Sequence, residues 1–376
     1  GCAERRSFGH GSGAVCDFHG KGLIALSENL TPLVGMDLPE LTALVTAAGQ
    51  PPFRAKQLHH WLYRLGTREF SEMTNLAKVF REWLEGHCVT GLPRVVDRRE
   101  SAEDETVKLL LELSDGELVE SVLMRERDWW TVCVSSQVGC ALGCTFCTTG
   151  AGGFRRDLTC GEIVGQVIEA RRLVPDGEFL RNIVFMGMGE PLLNPTAVTG
   201  ALRILTDPDG MAVASRRITL STAGIVPELR RLSEKDLGIN IAISLHGVCD
   251  EERNKIMPIG RRWPIAEILA ACREFGLRPR RRITFEYVLL GGVNDSDAHA
   301  RALGKLLRGM PCKINLIPYN PSKVLPYRRP SMDRVNRFQD ILLHQNYTVC
   351  VRFSKGLDVD GACGQLAGRH RNGADS

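Results

Sequence analysis

The feature that most restricts the fold is a regular alternation of apolar strands and helices after about residue 130. Parallel strands need long crossover connections, so this alternation predicts a parallel sheet. Six strand–helix units and one further strand fit an incomplete (β/α) barrel, although the alternation alone equally allows a doubly wound open sheet. The predicted strands lie at residues 130–135, 182–187, 217–222, 239–245, 283–290, 313–318 and 348–353.

Small and polar residues follow four of these strands, and chemistry in parallel α/β barrels gathers where strands end. Glycines let backbone approach a ligand closely, a carboxylate such as Glu190 holds an ammonium group, and hydroxyls or amides bind carboxylates and ribose. One such loop is more often a simple turn, but four in register predict a ligand-binding rim. The segments are Gly187-Met188-Gly189-Glu190-Pro191, Ser221-Thr222-Ala223-Gly224, Ser244-Leu245-His246-Gly247 and Pro318-Tyr319-Asn320-Pro321.

Three closely spaced cysteines, Cys140, Cys144 and Cys147, lie between the first two of these strands. Their C-x3-C-x2-C spacing lacks the fourth ligand and the paired arrangement of a structural zinc site. Cysteine thiolates are the usual ligands of iron–sulfur clusters, and three of them leave one iron of a [4Fe–4S] cluster open. We interpret the stretch as such a cluster site; the alternatives are a zinc knuckle or three buried structural thiols.

The chain before residue 130 shows two other patterns. Apolar residues at helical spacing extend from about residue 37 to 84, and apolar runs broken by turns follow between 105 and 135. Asn194-Pro195 predicts the start of a later helix, with Asn194 as its cap. The predicted division is a disordered leader (1–35), a helical accessory domain (36–100), a β-rich connector (101–130), an α/β core (131–368) and a tail (369–376).

Composition limits the class of protein. The 376 residues are 24% charged and 43% hydrophobic, and the net charge of +4 permits a nucleic-acid partner without requiring one. No apolar run approaches the roughly 18 residues of a membrane span. Thirteen cysteines without a visible secretory signal favour thiol and metal chemistry in a reducing cytoplasm.

Two single residues stand out by their position. Glu120 interrupts an apolar strand, and because a lone strand glutamate usually faces solvent, the local pattern favours a structural role. Cys363 follows the last strand among small and acidic residues, which is not a core position. The local sequence therefore predicts a mobile, reactive loop around Cys363.

These residues together resemble one family, the dual-specificity ribosomal and transfer RNA adenine-C2 methyltransferases of the radical S-adenosylmethionine (SAM) superfamily. The resemblance runs from about Leu38 to Gly368 and favours an incomplete parallel (β/α)6 radical SAM barrel with a small N-terminal helical domain. Its motifs include Pro52-Phe53-Arg54-Ala55-Lys56-Gln57, Cys133-Val134-Ser135-Ser136-Gln137-Val138-Gly139-Cys140, Gly187-Met188-Gly189-Glu190-Pro191, Lys313-Ile314-Asn315-Leu316-Ile317-Pro318 and Ala362-Cys363-Gly364-Gln365-Leu366.

The resemblance implies a role for each matching residue. Glu120 is implied as the general base, Cys363 as the methyl-carrying cysteine and Cys133 as its resolving partner. The three spaced cysteines are implied as ligands of a [4Fe–4S] cluster, and two SAM molecules are used per turnover. The implied SAM contacts are Gly189, Glu190, Ser221, Ser244, Leu245, His246 and Asn320.

The resemblance also implies the reaction. A first SAM methylates Cys363, and a radical generated from a second SAM takes a hydrogen from the S-methyl group. The methylene carbon then joins adenine C2, in 23S ribosomal RNA at the peptidyl transferase centre or in transfer RNA next to the anticodon. Loss of the C2 proton to Glu120 and attack by Cys133 on Cys363 release the product and leave a transient disulfide.

The implied partners are ribosomal and transfer RNA and a reducing electron donor such as flavodoxin, with a cytoplasmic monomer and no membrane. The nearest alternative is the related adenine-C8 methyltransferase, which confers antibiotic resistance, because residues alone do not determine the carbon modified. An alternative of another class is a non-catalytic Fe–S or zinc RNA-binding protein. That protein would have no use for the Cys133–Cys363 pair or for a SAM-binding rim.

Overall fold

A computed structural model describes residues 30–276, 281–322 and 324–366. In this part of the chain the strands are β1 (Thr31–Pro32), β2 (Cys88–Val89), β3 (Arg94–Glu100), β4 (Val107–Glu112), β5 (Leu118–Arg125), β6 (Trp130–Cys133), β7 (Gln137–Gly139), β8 (Phe154–Asp157), β9 (Leu180–Phe185), β10 (Ile218–Thr222), β11 (Asn240–Ser244), β12 (Ile283–Leu289), β13 (Cys312–Pro318) and β14 (Thr348–Val351). The helices are α1 (Leu38–Ala47), α2 (Phe53–His59), α3 (Lys78–His87), α4 (Thr148–Ala151), α5 (Cys160–Arg171), α6 (Pro195–Thr206), α7 (Val226–Glu234), α8 (Asp250–Ile256), α9 (Ile265–Glu274), α10 (Asp297–Leu306) and α11 (Met332–Leu343).

Ten of these strands form one sheet in the order β14-β13-β12-β11-β10-β9-β6-β5-β4-β3. The seven strands from β14 to β6 pair in parallel, whereas β5, β4 and β3 extend the sheet as antiparallel neighbours. Within the described residues the two end strands, β14 and β3, do not pair with each other. The predicted α/β class and incomplete parallel barrel are therefore confirmed.

The central parallel strands β11 and β12 are largely buried, as strands covered by helices usually are. In β12, six of the seven residues are buried, including the charged Glu286. Helices α5, α6, α7, α9, α10 and α11 follow or precede these strands and supply the covering layer. Because every parallel strand runs in the same direction, the loops after the strands meet at one end of the sheet.

Local signals explain where two of the helices begin. The Thr159 hydroxyl accepts from the Glu162 amide at 3.1 Å, and the Glu162 carboxylate accepts from the Thr159 amide at 2.8 Å, so α5 begins at a capping box. As predicted, α6 begins with Asn194 at the N-cap position and Pro195 in the first turn, but the Asn194 side chain makes no capping hydrogen bond. Its side-chain amide donates instead to the carbonyls of Ser136 and Leu158, which ties the start of α6 to the loop after β6.

The N-terminal helices pack against the core rather than standing apart. α2 continues as a π-helix over His60–Leu65, and the Tyr63 hydroxyl at its centre donates to the Met36 carbonyl at 2.6 Å. Arg68 forms an ion pair with Glu169 of α5 at 2.8 Å. Backbones approach so closely here that a Cβ on Gly161 would lie 2.1 Å from the Val34 carbonyl oxygen.

The predicted leader, residues 1–35, lies outside the described residues as far as residue 29. At its C-terminal end, however, Leu33 and Val34 are buried and β1 pairs with β2, so the boundary of the leader is earlier than predicted. Apolar side chains that reach the core explain this difference. The predicted tail, residues 369–376, also lies outside the described residues. No helix in the described part of the chain is long and apolar enough to cross a membrane.

Candidate active site

The loops at the ends of the parallel strands enclose a cavity of about 180 Å³, which we call the rim cavity. It brings together three groups that are far apart in sequence: the spaced cysteines, the predicted rim and Cys363. Of the predicted SAM-contacting residues, only Leu245 does not line it. The site residues that do are Cys140, Cys144, Cys147, Gly189, Glu190, Ser221, Ser244, His246, Asn320 and Cys363.

The cysteine loop is held by backbone contacts rather than by its own side chains. The Cys140 amide donates to the Gly153 carbonyl at 2.8 Å, and the Thr145 amide donates to the Ile256 carbonyl at 3.0 Å. Gly139 has φ +75°, and a Cβ there would lie 1.9 Å from the Gly153 carbonyl oxygen, so only glycine fits this position. The backbone therefore presents the three thiols to one cavity.

The chemistry of these thiols fits a cluster. All three are free, and burial raises the pKa of Cys140 to about 12 and that of Cys144 still further. Thiolates in such a place are costly unless a metal centre offsets the charge. Among the described residues no three His, Cys, Asp or Glu side chains converge on one ion. A cluster bound at three different irons requires thiols further apart than ligands of one ion, so this spacing is compatible with a cluster.

Glu190 is a buried carboxylate that two strand-end loops hold in place. Its Oε1 accepts from the Leu192 amide at 3.0 Å and its Oε2 from the Ala223 amide at 2.7 Å. Burial raises the pKa of Glu190. The preceding Gly189 has φ +98° and packs directly on Gln137. No arginine or lysine among the described residues forms an ion pair with Glu190, so its charge is available to a cationic group in the cavity.

The next loops supply neutral polar groups. The hydroxyls of Ser221 and Ser244 lie 3.4 Å apart across neighbouring strands. His246 has φ +55°, and its Nδ1 accepts from the Val288 amide at 3.0 Å. Burial, with the charge of Arg253 nearby, lowers the pKa of His246 to about 3, so the ring is neutral with its proton on Nε2.

Leu245 is fully buried and takes part only through its backbone. Its carbonyl accepts from Arg253 Nε at 3.0 Å, and its amide donates to the Glu286 carbonyl at 3.0 Å. Arg253 also donates to the Ala223 carbonyl at 2.7 Å. The fully buried Arg253 therefore ties two strand-end loops together and keeps the rim in register.

Asn320 links the rim to the loop of Cys363. Its Nδ2 donates to the Cys363 carbonyl at 3.1 Å and to the Ser354 hydroxyl at 2.8 Å, while Arg329 donates to its Oδ1. These contacts occupy most of the Asn320 amide. The structure thus gives Asn320 a second task beside the predicted ligand contact, which is to position Cys363.

Cys363 also lines a second cavity, of about 340 Å³, on the other side of its loop. We call it the cysteine cavity because Cys133 lines it too. Cys133 ends β6 opposite Val122 of β5, and its sulfur accepts a hydrogen bond from the Met186 amide. Burial raises the pKa of Cys133 to about 12. The two predicted cysteines, which are 230 positions apart along the chain, therefore line the same cavity.

The Cys363 loop, predicted to be mobile, is anchored at several points. The Gly364 carbonyl accepts from the Thr148 amide at 2.8 Å, and the Leu366 carbonyl accepts from the Thr149 hydroxyl at 2.7 Å. On its other side the Gly356 amide donates to Asp104 at 2.8 Å. These contacts fix the loop between the cysteine-bearing segment and the antiparallel strands.

Glu120 lines neither cavity. It is 3% exposed and its Oε1 lies 3.1 Å from Lys108 Nζ, which also donates to the Asp360 carbonyl at 3.4 Å. In a strand, alternate residues share a face, so Glu120 lies on the same face of β5 as Val122 of the cysteine cavity. The predicted solvent-facing position of Glu120 is wrong, because Lys108 compensates its burial.

Three charged residues near the site were missed by the sequence reasoning: Lys108, Glu286 and Arg352. Lys108 and Glu286 each interrupt an otherwise apolar strand, β4 and β12. A charged residue within an apolar strand is the same pattern that singled out Glu120, so it could have identified Lys108 and Glu286 as well. Arg352 follows β14 directly and carries no comparable signal.

Comparison with known proteins identifies the class. A radical SAM superfamily domain matches residues 134–303, which contain the three spaced cysteines and most of the rim. A ribosomal RNA large subunit methyltransferase N-terminal domain matches residues 31–90. The incomplete barrel with its cysteine-lined cavity is thus that of a radical SAM enzyme, a class that uses SAM and a [4Fe–4S] cluster.

Relatives along nearly the whole chain narrow the class to a family. The probable dual-specificity RNA methyltransferase RlmN of Symbiobacterium thermophilum is 47% identical over 342 residues, which cover 90% of this chain and 91% of that protein. The dual-specificity RNA methyltransferase RlmN of Rhodospirillum rubrum is 48% identical over 353 residues, which cover 91% and 82%. A crystal structure of a radical SAM methyltransferase from Sphaerobacter thermophilus matches with TM-score 0.88 and 45% identity, over 90% of this chain and 100% of that one.

The chain belongs to the RlmN family of dual-specificity RNA methyltransferases. It is a SAM-dependent RNA methyltransferase of the radical SAM type, and the predicted family and enzyme class are confirmed.

Proposed function

We propose that this enzyme methylates C2 of adenine in large-subunit ribosomal RNA and in transfer RNA, with Cys363 as the carrier of the methyl group. The observation that carries this proposal is the position of Cys363, which lines both the rim cavity and the cysteine cavity. A sulfur at this boundary meets a methyl donor on one side and a second thiol on the other. The names of the relatives, dual-specificity RNA methyltransferases, support RNA as the substrate.

Different residues of the rim cavity would bind the cluster and the separate groups of SAM. Cys140, Cys144 and Cys147 would hold the [4Fe–4S] cluster, and Glu190 would accept the ammonium group of SAM. The hydroxyls of Ser221 and Ser244, the neutral ring of His246 and the backbone around Leu245 would contact the rest of SAM. The electron-poor C2 carbon is a poor nucleophile and does not attack the methyl group of SAM directly, so a radical route is needed. When bound, the cluster and SAM supply the methyl group and the radical that activates it.

The chain's own thiols and carboxylate complete the transfer. Cys363 sulfur holds the carbon that becomes bonded to adenine C2, and Glu120 takes the proton that leaves C2. The adduct must also lose one electron, which the bound cluster would take up and which replaces the electron consumed in cleaving SAM. Cys133, as a thiolate, then attacks the Cys363 sulfur. The new S–S bond replaces the C–S bond, whose electron pair goes to the carbon, which takes up a proton. The cysteine pair is oxidised by two electrons, and a cellular reductant must restore it before the next turnover.

Glu120 is buried in its ion pair with Lys108, so it can accept the C2 proton only if the structure opens between its side chain and the cysteine cavity. Its side chain lies on the β5 face that borders the cysteine cavity, and Lys108 connects it to the Asp360 carbonyl of the Cys363 loop. A movement of this loop when RNA enters would therefore change the surroundings of Glu120. The coupling through Lys108 supports Glu120 as the base in spite of its burial.

RNA binding is assigned to the helical accessory domain (36–100) and to basic residues around the core (131–368), with the enzyme acting as a cytoplasmic monomer that takes electrons from a donor such as flavodoxin. Arg155 and Arg156 are adjacent basic residues and so candidates for phosphate contact, but both already pair with acidic side chains. Arg155 pairs with Glu117 at 2.7 Å, and Arg156 pairs with Asp115 and Glu162. Another candidate for phosphate contact is the basic run Arg278-Pro279-Arg280-Arg281-Arg282, whose first three residues lie outside the described residues.

An anaerobic assay tests the proposal. Protein reconstituted with iron and sulfide is given reductant, methyl-labelled SAM and ribosomal or transfer RNA, beside Cys363→Ala and the matched control Cys350→Ala, an exposed thiol on β14. We expect 2-methyladenosine from the parent and from Cys350→Ala, and none from Cys363→Ala. Labelled product from Cys363→Ala would exclude the cysteine carrier. Formation of 8-methyladenosine would replace C2 by C8 as the site of methylation.

A further inference from the structure

Arg352 is the one guanidinium that lines both cavities in the described part of the chain. It follows β14, its amide donates to the Leu316 carbonyl at 2.8 Å, and its side chain reaches the boundary where Cys363 lies. In the cysteine cavity it shares the wall with Cys133. Its positive charge is therefore placed beside both sulfurs of the proposed pair.

A single residue connects Arg352 to Cys133. The Arg352 Nη1 donates to the Met186 sulfur at 3.1 Å, and the Met186 amide donates to the Cys133 sulfur. The contacts of Arg352 within the described residues include no ion pair with a carboxylate. A guanidinium has five N–H donors, and a thioether is a weak acceptor. Most of the hydrogen-bonding capacity of Arg352 thus remains for groups inside the two cavities.

We propose that Arg352 is a positioning residue that increases the fraction of Cys133 present as the thiolate that attacks the Cys363 sulfur. This inference rests on the proposed function of the cysteine pair. Thiolates, not thiols, are the nucleophiles in disulfide formation, and an adjacent arginine favours the thiolate. Without such a charge, an even smaller fraction of the buried Cys133 would be thiolate, which would slow the release of methylated RNA.

The surrounding charges favour Arg352 in this role. Burial raises the pKa of Cys133, while the charge of Arg352 acts in the opposite direction. In the cysteine cavity the other charged groups are Glu126 and Lys355, which lie 3.9 Å apart and largely cancel.

The acidic residues that line the rim cavity are Glu190 and Glu286. Glu286 accepts from Asn315 at 2.9 Å through Oε1, while its buried Oε2 has no hydrogen-bond partner. Burial raises the pKa of Glu286, while the charge of Arg352 acts in the opposite direction. When ionised, Glu286 opposes the effect of Arg352, so its removal should make Cys133 more reactive or leave it unchanged.

The test measures the thiolate directly and needs no methyl transfer. In the Cys363→Ala protein with its cluster, kept anaerobic, iodoacetamide alkylation of Cys133 is followed by peptide mass spectrometry between pH 7 and 10, with the exposed Cys249 as internal reference. Arg352→Met, Arg352→Lys and Glu286→Gln are then added separately. A tenfold loss of thiolate is partly offset by the greater nucleophilicity of a more basic thiol, so we expect Arg352→Met to slow alkylation about three- to tenfold.

Each variant can contradict the proposal in its own way. Arg352→Lys keeps the charge and should stay within about twofold of the parent, and Glu286→Gln should react faster or equally fast. Unchanged alkylation in a folded Arg352→Met protein, or equal slowing in Arg352→Lys and Arg352→Met, would overturn the role of the charge. If instead the parent fails to methylate RNA while the Arg352 series behaves as expected, the proposed function fails and the thiolate inference remains.

Discussion

The two cavities that meet at Cys363 are built in different ways. The rim cavity is formed by consecutive strand-end loops, whose polar and glycine-rich segments each follow a buried strand. The cysteine cavity is lined by residues of β5 and β6, by Met186 just after β9, and by the end of β14 with the segment that follows it. Its walls include Val122, Thr131 and Met186, which look like ordinary strand residues. The predicted SAM contacts other than Leu245 line the first cavity, whereas Cys133 lines only the second.

This difference shows which site residues can be predicted from the sequence of a parallel sheet and which cannot. Equivalent ends of parallel strands lie at one edge, so a polar residue after each strand predicts a shared site. The cysteine cavity depends on the antiparallel extension β5, which pairs Val122 with Cys133, and on the return of the chain after β14. No sequence periodicity relates these segments to each other.

The largest expected effect is loss of the cluster from the rim cavity. Cys144→Ala removes one of three thiolates, and we expect a complete loss of reductive SAM cleavage together with most of the bound iron. Iron and sulfide analysis and 5′-deoxyadenosine formation measure this. The control is Cys160→Ala, a half-buried thiol on α5 outside both cavities. Full iron content and SAM cleavage in Cys144→Ala would show that this cysteine is not a ligand.

The matching change in the cysteine cavity should leave SAM cleavage intact. Cys133→Ala removes the thiolate that frees the product, so we expect RNA to remain covalently attached to Cys363 and released 2-methyladenosine to fall by about a hundredfold or more. A denaturing gel of labelled RNA detects the adduct. Cys272→Ala, an equally buried thiol on α9, is the control. Repeated turnover without an adduct in Cys133→Ala would remove the functional contrast between the cavities.

The pH dependence of Cys133 alkylation is a further test of the chemistry expected in the cysteine cavity. Because burial raises the pKa of Cys133 to about 12, its thiolate is a small fraction at pH 8 and grows as the pH rises. In the Cys363→Ala protein, alkylation of Cys133 should increase about tenfold for each pH step of one, or about a hundredfold between pH 8 and 10. A rate that levels off below pH 9 would mean that Cys133 is far more acidic than its burial implies.

The smallest expected effect concerns the ion pair beneath the cysteine cavity. Lys108→Met removes the ammonium 3.1 Å from the buried Glu120 carboxylate, and we expect a loss of about 3 kcal/mol in unfolding free energy. Methylation should fall about tenfold, since general acid–base catalysis contributes about a hundredfold or more and repositioning Glu120 forfeits part of it.

Denaturant unfolding and single-turnover assays measure both effects of Lys108→Met. Lys78→Met is the matched control, because its 3.8 Å pair with Glu82 is exposed and should change stability by less than about 0.5 kcal/mol. Equal stability of the two variants would show that the Lys108–Glu120 pair is not effectively buried.

Most of the rim was predictable from sequence, and its exceptions are informative. Gly189, Glu190, Ser221, Ser244, His246 and Asn320 line the cavity as expected. Leu245 does not, because its side chain points into the core and only its backbone faces Arg253. Ser244 and His246 line the cavity on either side of Leu245, so the alternation of faces along a strand explains why the Leu245 side chain points away.

The sequence by itself determined the parallel sheet, the family and the three cysteines, because strand–helix alternation and short motifs are local properties of the chain. Only the tertiary structure decided that Glu120 is paired with Lys108, that Asn320 holds the Cys363 loop, and that Arg352 lies between two cavities. These contacts join residues from 12 positions apart, as in Lys108 and Glu120, to 166 positions apart, as in Arg352 and Met186. Burial and charge pairing across such distances depend on how strands are ordered in the sheet, and no local pattern encodes that order.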